Sequence, residues 1–448
     1  MFRVMSAIGV LTILFATALS RGSAASDWTS ARIDARQVGI LDLQILNGYR
    51  ALGVDRDLSQ DVAHNFASGA DGAFPLAALI GDSTGALYGT TNGGGTYGLG
   101  TVFRLVPSQN GYRGHVLYSF QGNADGSSPD APLLGDSNGL LYGTTVTGGG
   151  GTFGYGTVFA LVPIRNGYRE KVLYRFQGGA DGAGPQGSVI GDRSGDLFGT
   201  TYAGGRFGVG TVFQLTPGRS GYTESVPYSF QQNGADGENP TASLLMDQNG
   251  ALYGTTANGG TFGQGAVFKV IPGNIHAEKV LYSFQPPADG ANPYASLIED
   301  GSGALYGTTL RYGGQGKGMV FKLSPVRDGV TAFEAFAYSE SIVHAFTGYG
   351  DGKFPHAALI ADNSGSLYGT TVDTVFKLTP NGGGFDYRIL HRFRGSADGN
   401  TIWSSLFVDG SGALYGTTEF GGIVNHGTVF KLTPTGDRYT YTLLHTFR

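Results

Sequence analysis

The feature that most limits how this chain can fold is one five-residue phrase written seven times. Leu-Tyr-Gly-Thr-Thr occurs at Leu87–Thr91, Leu141–Thr145, Leu252–Thr256, Leu305–Thr309, Leu367–Thr371 and Leu414–Thr418, and Leu197–Thr201 differs only by Phe198. Copies lie about 55 residues apart, more than the roughly 40–50 of common propeller repeats. Several other features recur in the same order around each copy, so the unit that repeats is a whole supersecondary motif.

Each unit divides into four strands. Strand A is Ala77–Asp82 in the first repeat and Ala295–Asp300 in the fifth, followed by an Asp-x-x-Gly turn such as Asp300-Gly301-Ser302-Gly303. Strand B carries the five-residue phrase. A glycine-rich loop, 92–100 in the first repeat, leads to strand C, Thr101–Pro107, whose Thr-Val-Phe-x-Leu pattern alternates as a strand should. A second turn, Asn110-Gly111-Tyr112, leads to strand D, Val116–Phe120.

No stretch keeps a helical period. Four-stranded antiparallel units repeated radially are propeller blades, so the expected fold is all-β, a seven-bladed β-propeller. Strand A fits the axis, because it opens on small pairs such as Ala77-Ala78, Ala242-Ser243 and Ser404-Ser405 where blades converge. The alternative is a linear solenoid, which would need polar capping repeats.

Composition agrees with many tight turns around a real core. Glycine supplies 78 of 448 residues, yet the aromatic share of 12% is too high for a chain that never packs. The formal net charge is −5 with 14% charged residues, and no basic cluster suits nucleic acid or an anionic membrane. The absence of cysteine excludes disulfides, thiolate metal sites and thiol nucleophiles.

The N-terminus reads as an export signal. Arg3 supplies the positive end, Ala7 to Leu19 is apolar, and Gly22, Ser23, Ala24 and Ala25 supply small residues for cleavage. The expected organisation is a signal peptide at 1–25, a lead at 26–66 and the seven-repeat propeller at 67–448. The lead holds a degenerate half-blade, with Gly39–Ile45, Asn47-Gly48-Tyr49 and a strand-D look-alike at Val62–Phe66. A secreted or periplasmic monomer, not inserted in a membrane after cleavage, is expected.

Together, Leu-Tyr-Gly-Thr-Thr, Gly-Thr-Val-Phe-x-Leu and Tyr-Ser-Phe-x-x-x-x-Asp-Gly-x-x-Pro resemble a bacterial family of exported tandem-repeat proteins, the choice-of-anchor or GloVer repeat proteins. The likeness runs from about Val62 to Arg448. It implies export and a repeat β fold, and supplies neither a reaction nor catalytic residues. The Asp-x-x-Gly-x-Leu-Tyr turn is also similar to that of NHL-type propeller repeats.

Residues present in every blade read as blade-building. Asp71, Asp125, Asp181, Asp236, Asp289, Asp351 and Asp398 each precede a glycine. One carboxylate per loop falls short of the about six to eight oxygens of a calcium site, so these are turns. The ring from Asp82 to Asp409 closes the A–B turn. The glycine-rich B–C loops, Gly313–Gly318 included, lack Walker spacing and read as flexible connections. His64, His344, His391 and His445 fill the strand-D slot held elsewhere by Tyr118, Tyr174, Tyr228 and Tyr282, while His115, His276, His356 and His426 are scattered. No metal site, cofactor or Gly-x-Ser-x-Gly nucleophile is expected.

The functional signal is where the repeats disagree. The residue before the small pair is Leu76, Asp130, Gln186, Thr241, Tyr294, His356 and Trp403 in successive blades. Strands A begin and strands B end on one face, so this slot surrounds the channel mouth. An aromatic arc facing hydrogen-bonding groups suits a polar ring such as a sugar; drift at an exposed loop position is the competing explanation. Lys353, Phe354, Arg311, Tyr312 and Glu419 lie on neighbouring loops. Asp373 sits where the B–C loop of blade 6 shrinks to two residues.

Three functions stay open. The first is a non-enzymatic binding propeller whose ligand is carbohydrate, held by Tyr294, His356, Trp403, Asp130, Gln186, Lys353, Arg311 and Glu419. The second is an enzyme at the same mouth. A polysaccharide lyase would use His356 or Tyr294 as base beside Lys353 or Arg311, and a glycosidase would use Asp130 with Glu419. The third is a structural or protein-interaction propeller. Catalytic residues are not assigned from sequence.

Overall fold

The computed structural model describes residues 71–446, apart from 110, 151–153, 274–277, 327–336, 396–397, 423–424, 426 and 437. The expected signal peptide and the lead with its half-blade lie outside the described residues.

The strands form seven antiparallel sheets, each ordered A-B-C-D, and no described residue is helical. Blade 1 is Ile80–Gly81, Leu87–Thr91, Thr101–Ser108 and Gly111–Ser119; blade 7 is Phe407–Val408, Leu414–Thr418, Thr428–Thr435 and Arg438–Thr446. The chain is a seven-bladed β-propeller. Blade 4 adds a short strand, Gly237–Pro240, beside a lengthened strand B, Leu252–Gly259.

Strand A is shorter than its apolar pattern predicts. Only two residues ladder with strand B, Ile80 opposite Tyr88 and Gly81 opposite Leu87 in blade 1. The small residues ahead of them bond sideways instead. The first threonine of each phrase donates its hydroxyl to the carbonyl of the leading small residue in the next blade. Thr90 reaches Ala131 (3.2 Å), Thr144 reaches Gly187 (3.0 Å) and Thr200 reaches Ala242 (3.0 Å). Thr255, Thr308 and Thr370 repeat the bond to Ala295, Ala357 and Ser404. Thr417 closes the ring on Ala77 at 3.3 Å.

The second threonine joins strand B to strand C. Thr91 Oγ1 lies 2.8 Å from Thr101 Oγ1 and accepts from the Thr101 amide at 3.1 Å. The Asp-Gly turn packs on this pair. Gly72 has φ +110°, and a Cβ there would come within 2.4 Å of Thr91 Oγ1, so only glycine fits.

Its aspartate is a turn residue too. Asp125 accepts from the Tyr118 hydroxyl (2.7 Å) and the Gln121 amide (2.9 Å). In the A–B turn, Asp82 accepts from the Thr84 and Ala86 amides and from the Tyr88 hydroxyl at 2.9 Å.

The B–C loops are pinned rather than loose. Ala73 and Gly93 exchange both backbone bonds, and Gly100 N donates to Gly94 O at 2.9 Å. Glycines permit this close backbone pairing, a role their abundance alone did not distinguish from flexibility.

The core lies between blades. The strand-D phenylalanine meets the strand-C phenylalanine of the next blade edge-on, as Phe120 does Phe159 at 5.1 Å and Phe393 does Phe430 at 5.0 Å. At the closure, Leu79, Leu87, Phe103 and Leu105 pack with Ala413, Tyr415, Val429 and Leu444. Rigid blades then hold whatever precedes each small pair at a fixed place around the axis.

Candidate functional site at the channel mouth

All seven residues of the variable slot line one cavity of about 360 Å³ at the axis. The small pairs leave room for it. Asp130, Gln186 and Thr241 come from blades 2 to 4, Tyr294, His356 and Trp403 from blades 5 to 7, and Leu76 from blade 1. Glu419, the residue after strand B of blade 7, joins them.

The aromatic arc is continuous. The Tyr294 and His356 rings stack with centroids 5.1 Å apart at 18°, and His356 meets Trp403 edge-on at 4.6 Å and 78°. The Trp403 indole N–H donates to Glu419 Oε2 at 2.5 Å, which fixes the ring plane. Across the mouth, the Asn92 amide donates to Asp130 Oδ1 at 2.5 Å.

Burial sets the protonation states. It pushes the His356 imidazole down to about 4, so the ring is neutral at physiological pH. Burial also raises Asp130, against the pull of the Asn92 bond, and raises Glu419, against the pull of the Trp403 bond.

The other two proposed ligand contacts fall elsewhere. Lys353 and Arg311 do not line the cavity. Arg311 is exposed and bridges Ala291 through its backbone, and Lys353 O accepts from Val372 N at 3.1 Å. Their slot is the backbone bridge between the Asp-Gly turn and the B–C loop, so closeness to His356 in sequence does not carry them to the axis. Asp373 is engaged by Arg392 Nη1 at 3.1 Å and by the Thr371 hydroxyl, and lies outside the lining. Asn92 was not anticipated. The position after the five-residue phrase varies as the mouth slot does, through Asn92, Val146, Tyr202, Ala257, Leu310, Val372 and Glu419, and comparing the repeats there would have exposed it.

Among the described residues no group of three His, Cys, Asp or Glu side chains is placed to hold a metal ion.

The Gloeobacter/Verrucomicrobia repeat model matches residues 54–190, 146–373 and 280–448, and the chain belongs to that family of repeat proteins. No curated protein sequence matches it. Among solved structures it is similar to a candidate 6-phosphogluconolactonase from Bacteroides uniformis, at 14% identity over 80% of this chain and 94% of that one, with a TM-score of 0.50. It is also similar to virginiamycin B lyase from Staphylococcus aureus, at 13% identity over 80% and 91% of the two chains, TM-score 0.46. A candidate oxidoreductase (glucose dehydrogenase) from Thermus thermophilus shows 17% identity over 72% and 98%, TM-score 0.42. At such identities the likeness is one of fold alone.

Proposed function

We propose that this is an exported propeller that binds carbohydrate at the mouth of its channel without transforming it. The observation that carries the reading is the slot itself: seven equivalent positions hold seven different side chains, and they meet in one cavity. Stacked Tyr294 and His356 with Trp403 offer apolar faces, while Gln186, Thr241, Asp130 and Glu419 offer groups for hydroxyls.

A lyase needs a cation to neutralise the uronate, and among the described residues no lysine or arginine lines the mouth. A glycosidase is the second reading, favoured by Asp130 and Glu419 lining one cavity with both carboxyls raised by burial.

The test pairs binding with stability. Trp403→Ala should weaken glycan binding roughly thirtyfold, as loss of a central aromatic contact does, while thermal stability stays close to wild type. Unchanged binding with collapsed stability would make the slot part of the fold and end the proposal. Release of reducing ends from a bound glycan would replace it with the glycosidase.

A further inference from the structure

The charge around the mouth is one-sided. Among the described residues its lining holds two carboxylates, Asp130 and Glu419, and no lysine or arginine. Each carboxylate is tied by a neutral donor, Asp130 by the Asn92 amide and Glu419 by the Trp403 indole, so neither charge is cancelled. The second oxygen of each, Asp130 Oδ2 and Glu419 Oε1, has no hydrogen-bond partner among the described residues. The other groups on the wall are neutral hydrogen-bonding chains, small residues, the apolar Leu76 and Pro132, and the rings of Tyr294, His356 and Trp403.

We propose that the sugar held at this mouth bears a protonated amine, making it an amino sugar rather than a neutral hexose or a uronate. This rests on the carbohydrate reading above and narrows it. An ammonium brings three donors and no acceptor, which suits the free oxygen that Asp130 or Glu419 keeps. Charge-assisted bonds of this kind are about twice as strong as neutral ones, and the neighbouring aromatic faces attract a cation as well. A uronate would instead bring a third negative charge into a mouth with no facing cation. The upward pull of burial on both acids fits the same picture, since a bound ammonium would offset the cost of keeping them ionised.

The experiment is calorimetry on the full chain with glucosamine, glucose and glucuronate, each also as a short oligomer. Glucosamine is expected to bind about tenfold tighter than glucose, with glucuronate weakest. Glu419→Gln and Asp130→Asn should each cut the glucosamine-to-glucose affinity ratio by most of that factor; two variants are used because one could misfold. Equal affinity for glucosamine and glucose, or a ratio that neither variant moves, overturns the amine while leaving the carbohydrate reading in place. Failure of every one of these sugars to bind the wild-type protein would remove both.

Discussion

From blade 1 to blade 5, the aspartate that opens each repeat receives a tyrosine hydroxyl, and a glutamate from the following blade lies beside the pair. Tyr118 bonds Asp125 with Glu170 alongside, Tyr174 bonds Asp181 with Glu224, Tyr228 bonds Asp236 with Glu278, and Tyr282 bonds Asp289 with Glu340. From blade 5 to blade 7 the same joint is built differently. His344 and His391 stand 3.5 Å from Asp351 and Asp398, and Tyr387 and Tyr441 stack face to face on the imidazoles at 4.1 Å. Tyr441 then reaches the Asp398 carbonyl at 2.8 Å.

At these six joints the two partners change together, and their chemistry gives a reason. A tyrosine has one hydroxyl hydrogen, and it donates that hydrogen to the aspartate. The glutamate beside them keeps Oε1 buried and without a hydrogen-bond partner in all four joints, a costly arrangement for a charged carboxylate. Burial first, and the aspartate charge second, push Glu278 up to about 8 and Glu170, Glu224 and Glu340 up to about 7. With His344 and His391 in the slot no such acid follows, and the rings of Tyr387 and Tyr441 cover the imidazoles. Burial there pushes His344 and His391 down, partly offset by the aspartates.

The two joints therefore respond to pH in opposite senses. A carboxyl raised by folding holds its proton more tightly in the native state, so the glutamate joints are strongest below the ordinary value of 4.5 and weaken as pH rises towards 7 or 8. An imidazole lowered by folding resists protonation, so the histidine joints are strongest above the ordinary 6.5 and weaken as pH falls through it.

The largest effect expected is of pH on the glutamate joints. Allowing for solvent screening of these half-buried groups, each should lose about 1 kcal/mol between pH 5 and pH 8, about 4 kcal/mol for the four. Replacing Glu170, Glu224, Glu278 and Glu340 with glutamine should flatten that fall in denaturant titrations; a slope as steep as wild type would remove the argument. Next in size, Tyr387→Ala strips the cover from His344 and should cost about 3 kcal/mol in the same titrations. A loss below 1 kcal/mol would make the stack incidental. Smallest is the exchange of one joint for the other. His344→Tyr and Tyr387→Glu should each destabilise alone, and the pair should recover about 1–2 kcal/mol of coupling in a double-mutant cycle. Strict additivity would show that the two positions do not sense each other.

The fold was legible because the sequence states it seven times, and small pairs, turn aspartates and alternating strands all point to one architecture. Strand A was read too long, since Leu79 and Ile80 carry strand character while the hydroxyls that take up the preceding carbonyls come from another blade. The mouth slot could be read because position within a repeat maps onto position around a ring. Lys353 and Arg311 could not be placed that way, because their own slot is a backbone bridge one step outside the rim. Asn92 escaped because its partner Asp130 lies in the next blade, 38 residues on.

The threonine ring bears on how the molecule comes apart. In a linear stack of repeats the end units have one neighbour each and fray first. Here the bond from Thr417 to Ala77 has the same donor and acceptor chemistry as the six others, so no blade is an end unit. Peeling any one away breaks two such bonds and uncovers apolar surface on both sides, while the remaining blades would be left as an open arc with two exposed flanks. Local opening at the hub is thereby tied to global unfolding, and the laddered amides of strand B, which carries these threonines, belong with the slowest-exchanging positions of the chain.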